Sequence, residues 1–126
     1  MRIVVTGGTG FLGRALAAAL AGRGDEAVVV TRDPSRAGLP TGSRGTGWDG
    51  LATAVDGADA VVNLAGETIA QRWTAAAKAR IVGSRAQAAE RVGAALRAAK
   101  GPPAVLVNAS AVGFYGNRGD EELTEE

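Results

Sequence analysis

Eight residues near the start of the chain, Thr6-Gly7-Gly8-Thr9-Gly10-Phe11-Leu12-Gly13, limit its possible folds more than any other stretch. They separate a short run rich in β-branched residues, Arg2 to Thr6, from a segment where Phe11, Leu12, Ala15, Leu16, Ala19 and Leu20 recur at helical spacing. A strand that passes into a helix through so few residues needs glycine in three places. Gly7 suits the tight turn, Gly10 lets a ligand approach the backbone with no Cβ in the way, and Gly13 lets the helix pack closely on the strand. The free N–H groups of Phe11, Leu12 and Gly13 in the first helical turn, with the positive end of the helix dipole, then form a receptor for phosphate. A glycine turn serving packing alone would read the same way in isolation. The flanking strand, the amphipathic helix and a second strand at the right distance point instead to the pyrophosphate of a dinucleotide. No Gly-Lys-Ser/Thr follows the loop, which disfavours a Walker-type nucleotide site.

The rest of the chain repeats the alternation. Gly22 and Gly24 stop the first helix, and Ala27 to Thr31 is a continuous apolar strand of the kind found where both faces of a parallel sheet are covered. Residues Asp33 to Gly47 are rich in Gly, Pro and Ser and read as a loop, with a weak strand near Arg44 to Trp48. Leu51 to Val55 forms one or two helical turns, and Asp59 to Leu64 a third clear strand. Thr74 is placed to cap a long alanine-rich helix running to about Lys100, with Gly83 and Gly93 as weak points and Gly101-Pro102-Pro103 as its end. Ala104 to Ala109 is the last strong strand. Right-handed crossovers then give an α/β fold, a doubly wound parallel sheet of Rossmann type with strand order 3-2-1-4-5.

At 126 residues the whole chain, 1–126, is the size of one domain with a single core. Hydrophobic residues make up 46% and charged residues 21%, which fits a globular protein rather than a disordered one. The net charge of +1 supplies no field for general binding to nucleic acid or an acidic membrane, so any anion has to be caught locally. The sequence contains neither cysteine nor histidine, which removes disulfides, thiolate chemistry, imidazole bases and the usual zinc ligands; no metal site is expected. No stretch reads as a signal peptide or a membrane span, and a cytoplasmic, reducing setting is the expectation.

The identity of the dinucleotide turns on the end of the second strand. Folds of this kind that prefer NAD place an acid there, to accept from the adenosine ribose 2′-hydroxyl. Here Thr31 stands at that point, followed by Arg32, and Arg36 shares the loop. A guanidinium bonded to a 2′-phosphate is worth about 1.5 to 3 kcal/mol, or roughly 10- to 100-fold in favour of NADP. Asp33 keeps NAD open as the alternative, because a strand longer by one or two residues would bring its carboxylate to the ribose. A solvated loop of Arg32, Asp33 and Arg36 is the plainest reading of the three. Asp49, after the weak strand, is either an adenine contact or the N-cap of the helix at Leu51.

Thr6 to Gly13 together with Asn63-Leu64-Ala65-Gly66 resembles the extended short-chain dehydrogenase/reductase superfamily. Asn63 to Glu67, the pair Arg72-Trp73, Ser84-Arg85 and Ala109-Ser110-Ala111-Val112-Gly113-Phe114-Tyr115-Gly116 are more specific. They resemble an atypical branch of NAD(P)-dependent epimerase/dehydratase-like proteins, also described as nucleoside-diphosphate-sugar epimerase-like. The resemblance extends over essentially the whole chain. It implies cofactor contacts from Leu64, Ala65, Gly66 and Glu67 at the end of the fourth strand, which is also a place for a merely buried strand end. It implies that Ser110 is the upstream active-site serine, whose hydroxyl bonds the reacting carbonyl or hydroxyl; a serine satisfying backbone groups at the turn is the alternative. Tyr115 is expected to pack or line the pocket, and Arg85 stands where typical members carry a structural asparagine.

The superfamily's Tyr-x-x-x-Lys pair has no match after Tyr115, and the remaining strands and small substrate-binding region of the family are not in this sequence. Three functions follow as competitors. The first is the NADP(H)-binding domain of an oxidoreductase or epimerase acting on an unknown small molecule, with a proton donor supplied from outside this sequence. The second is a non-catalytic dinucleotide-binding sensor or scaffold, and the third a remnant that folds without binding, against which the intact Gly7, Gly10 and Gly13 speak. An open sheet edge is expected to favour homo-oligomers.

Overall fold

The computed structural model describes residues 1–36, 38–111 and 115–124, with the backbone alone for Arg36. Among them, β1 (Arg2–Thr6), β2 (Glu26–Val30), β3 (Ser43–Thr46), β4 (Ala60–Asn63) and β5 (Val105–Asn108) form one parallel sheet in the order β3-β2-β1-β4-β5. The expected doubly wound order is therefore observed. Helices α1 (Phe11–Gly22), α2 (Leu51–Val55) and α3 (Ala75–Ala98) make the crossovers, with short 3-10 turns at Pro34–Arg36 and Trp48–Gly50.

Two packing layers hold the sheet. Val4, Val28, Val30 and Val61 point to one face, against Leu51, Ala54 and Val55 of α2 and Val92 and Ala95 of α3. On the other face Ala27 and Val29 meet Ala17 of α1. Small aliphatics on both sides explain how a chain with 4% aromatic residues closes a core, since α1 can approach the sheet closely over alanine. The side chain of Thr74 accepts a hydrogen bond from the Ala77 amide (3.1 Å) and caps α3 as expected. The helix then runs unbroken through Gly83 and Gly93. Each glycine costs about 1 kcal/mol of helix propensity, and the buried Ala77, Ala88, Val92 and Ala95 anchor the same helix to the body of the domain.

Strands end slightly earlier than their apolar runs suggest. Thr31, Leu64 and Ala109 still donate their amides to Thr46, Thr6 and Asn63 on the neighbouring strands, at 3.0, 3.1 and 3.0 Å, and the chain then leaves the sheet. The last residues of the strands, Thr46, Val30, Thr6, Asn63 and Asn108, are aligned in one register row. Thr6 and Asn63 are buried in that row, where the Thr6 hydroxyl donates to Asn63 Oδ1 and Asn63 Nδ2 donates to Asn108 Oδ1. This even edge is the floor on which the site is built. No described helix is long and apolar enough to cross a membrane.

Candidate functional site

The chain runs from β1 outward to β2 and β3, then crosses back through α2 to β4 on the other side of β1, which leaves a crevice at the carboxyl ends of these strands. The glycine loop enters it from β1. Gly7 has φ +69°, and a Cβ there would lie 2.7 Å from the carbonyl of Leu64 and 2.8 Å from the Ala65 amide nitrogen. The loops after β1 and β4 therefore touch backbone to backbone, and only glycine permits both the conformation and the approach. A Cβ on Gly13 would stand 2.4 Å from the Gly7 carbonyl oxygen, so the start of α1 lies directly on the loop. The N-cap of α1 is Gly10, in extended conformation, with no side-chain cap. Arg14 braces the loop from outside, bonding Thr9 O through Nε (3.0 Å) and Gly38 O through Nη1 (2.7 Å).

A cavity of about 580 Å³ opens above this floor. Gly7, Thr9 and Gly10 supply its base, Val30, Thr31 and Arg32 one side, Trp48 the far end, and Leu64, Ala65, Gly66 and Glu67 the side next to β4. The remaining wall is one face of α3, carrying Ser84, Gln87, Ala88 and Arg91. The Arg91 guanidinium lies 5.4 Å from the centre of the Trp48 ring and closes the end near β3. The cavity is thus apolar where Val30, Trp48, Leu64 and Ala88 face it and cationic at Arg32 and Arg91. An uncapped helix start lies at its base.

Eight residues expected at a cofactor site line this cavity: Gly7, Gly10, Thr31, Arg32, Leu64, Ala65, Gly66 and Glu67. The others lie elsewhere. Gly13 is buried beneath the loop, while Phe11 and Leu12 point outward at the start of α1, with Phe11 92% exposed. Asp49 faces a second, shallower depression between α2 and α3, beside Leu51 and Ala52. It does not cap α2 either, since the N-cap is Gly50 with no side-chain bond. Ser110 is exposed just past β5 and outside the cavity lining, and Tyr115 is half exposed. The Arg36 side chain and Val112, Gly113 and Phe114 fall outside the described residues. Asp33 turns back on its own loop, where Oδ1 accepts from the Ser35 amide (3.2 Å) and hydroxyl (2.6 Å).

Sequence reasoning passed over Thr9, Val30, Trp48, Gln87, Ala88 and Arg91. For the α3 residues a signal was present: Ser84, Gln87, Ala88 and Arg91 follow the three-and-four spacing of one helix face. That face mixes polar and small residues, so hydrophobic periodicity did not mark it.

Comparison with known proteins agrees with this geometry. The model of the NAD dependent epimerase/dehydratase family matches residues 3–126. The chain belongs to that family. It is 37% identical over 119 residues to the human epimerase family protein SDR39U1, covering 91% of this chain and 38% of the relative. It is 35% identical over 130 residues to the epimerase family protein YfhF of Bacillus subtilis, covering 100% of this chain and 43% of the relative. It therefore spans about two fifths of the length of these family members. The crystal structure of human SDR39U1 (isoform 2) with NADPH superposes with a TM-score of 0.77 at 36% identity, covering 91% of this chain and 38% of that one. MoeE5 in complex with UDP-glucose and NAD superposes with a TM-score of 0.76 at 26% identity, covering 100% and 41%. The fold and the family are thereby settled for this chain, and the two solved structures hold NADPH and NAD respectively.

Proposed function

We propose that this chain is the NADP(H)-binding domain of an oxidoreductase or nucleoside-diphosphate-sugar epimerase-like protein. The observation that carries the reading is the uncapped start of α1 at Gly10, opening at the base of a cavity that also holds Arg32. A diphosphate would rest against Gly10 and the first amides of α1, where the backbone is bare and the helix dipole is positive. Arg32 would take the 2′-phosphate. Asp33, the acid that would have served a free ribose 2′-hydroxyl, is already bonded to Ser35, which supports NADP over NAD. Trp48 and Val30 give the adenine an apolar wall, and Leu64 to Glu67 border the ribose and phosphate path. Bound nicotinamide would supply the hydride chemistry. Ser110 lies beyond β5, on the side where a substrate would enter, and would orient a carbonyl or hydroxyl there.

One observation favours a second reading, a dinucleotide-binding sensor or scaffold without turnover. Ser110 does not line the cavity. Titration with NADPH and NADH separates binding from its absence. With Trp73→Phe, Trp48 becomes the sole tryptophan reporter, and its emission should fall as NADPH fills the cavity. A folded chain whose Trp48 emission and melting temperature respond to neither dinucleotide would refute the proposal. Turnover of sugar nucleotides or small carbonyl compounds would then favour the enzyme over the module.

A further inference from the structure

The turn after β4 borders the cavity, yet it has no regular secondary structure of its own to hold it. Residues Leu64 to Trp73 leave the sheet and reach α3 without forming a helix or strand. Arg80 of α3 bonds the Gln71 side chain through Nη2 (3.1 Å) and pairs with the Glu67 carboxylate (4.0 Å), and two neighbouring side chains of the same helix hold the Glu67 backbone. The Glu67 amide donates to Ser84 Oγ (2.9 Å), and Ser84 Oγ donates in turn to the Ile81 carbonyl (3.0 Å). Arg85 Nη1 donates both to that same Ile81 carbonyl (3.0 Å) and to the Glu67 carbonyl (3.1 Å). The circuit is closed: both backbone polar groups of Glu67 are bound to one turn of α3 through a shared helical carbonyl.

Gly66 completes it. A Cβ there would lie 2.9 Å from the Arg85 guanidinium carbon and 3.0 Å from Nη1. The guanidinium lies against the Gly66 backbone, in the space a side chain would occupy. We infer that Ser84 and Arg85 are positioning residues that set the Gly66–Glu67 peptide as one wall of the dinucleotide cavity, with the bare backbone of Gly66 leaving the space that the Arg85 guanidinium takes. This rests on the proposed cofactor reading. Arg85 does not line the cavity, so its effect on a ligand has to pass through the peptide it holds. Without the clasp, the turn would sample other conformations and have to be ordered at the moment of binding, which weakens affinity.

The test is a double-mutant cycle read by NADPH affinity and by the melting temperature of the unliganded protein. Arg85→Ala should weaken NADPH about three- to tenfold, a range set by a charge-assisted hydrogen bond partly screened by water. Gly66→Ala should weaken it similarly by displacing the guanidinium. The double variant should be no weaker than either alone, because each removes the same clasp. Arg85→Lys, which keeps a cation and a donor, should recover part of the loss. A merely structural role would instead lower the unliganded melting temperature and leave affinity unchanged, and this result would overturn the inference, as would additive losses in the double variant. If the wild-type protein binds neither NADPH nor NADH, the cofactor reading falls and the inference with it. If it binds and Arg85→Ala has no effect, the inference alone falls.

Discussion

In the proposed reading, Arg32 is the residue on which cofactor preference turns. It follows Thr31 at the end of β2 and lines the cavity, but its side chain is exposed. Water competes for the guanidinium, so its contribution to 2′-phosphate recognition belongs at the lower end of the charge-assisted range. Arg32→Ala should therefore weaken NADPH about tenfold and leave NADH within about twofold, measured by parallel titrations; equal weakening of both would remove the 2′-phosphate assignment. Arg32 was legible in the sequence because one position, the end of the second strand, decides ribose chemistry in this fold. Trp48 and Arg91 were not. Their pairing joins the segment after β3 to α3 across 43 positions of chain, and no local pattern announces a contact over that distance. Asp49 shows the complementary difficulty. A polar residue after a strand has several possible partners, and the direction in which the 3-10 turn at Trp48–Gly50 points it, here toward the second depression, is set by tertiary packing.

At the level of elements, the glycine loop separates two kinds of requirement that the sequence motif presents as one. Gly13 meets a packing requirement, since its Cβ would stand 2.4 Å from the Gly7 carbonyl and 2.5 Å from Gly8 Cα, backbone atoms that cannot move aside. Gly10 has room by comparison: its Cβ would lie 3.3 Å from the Gly7 carbonyl oxygen, its φ of −76° suits any residue, and it lines the cavity. Gly13→Ala should lower unfolding stability by about 1 to 3 kcal/mol, as overpacking does. Gly10→Ala should change stability by less than about 1 kcal/mol yet weaken NADPH at least as strongly as Gly13→Ala does. Urea unfolding and dinucleotide titration on the two variants check both halves, and a destabilised Gly10→Ala with unchanged affinity would reverse the assignment. The elements themselves were largely readable, because apolar runs and the cap at Thr74 are local. What periodicity left out was the turn from Leu64 to Trp73, whose Glu67 backbone is held by Ser84 and Arg85 and whose Gln71 side chain is held by Arg80, all on the helix that follows.

For the molecule as a whole, the two edges of the sheet are unequal. The β3 edge is short and polar, Ser43-Arg44-Gly45-Thr46, and Arg44 pairs with Glu26 of β2 at 3.2 Å. A charged side chain on an edge strand discourages pairing with another chain. The β5 edge carries Val105, Leu106 and Val107, each about half exposed, on a strand whose two faces are incompletely covered. Strands of a parallel sheet ordinarily have both faces buried, so among the described residues β5 presents both an unpaired edge and an apolar surface. A 126-residue chain alone in solution can satisfy both by placing β5 against β5 of a second copy, and sedimentation should then show a monomer–dimer equilibrium that shifts with concentration. Leu106→Lys places a charge on the half-exposed side of that strand and should return the chain to monomer, with NADPH affinity unchanged because β5 does not line the cavity. A wild-type chain that stays monomeric at high concentration would remove β5 pairing as a route to assembly. A Leu106→Lys chain that still dimerises would place the contact on another surface.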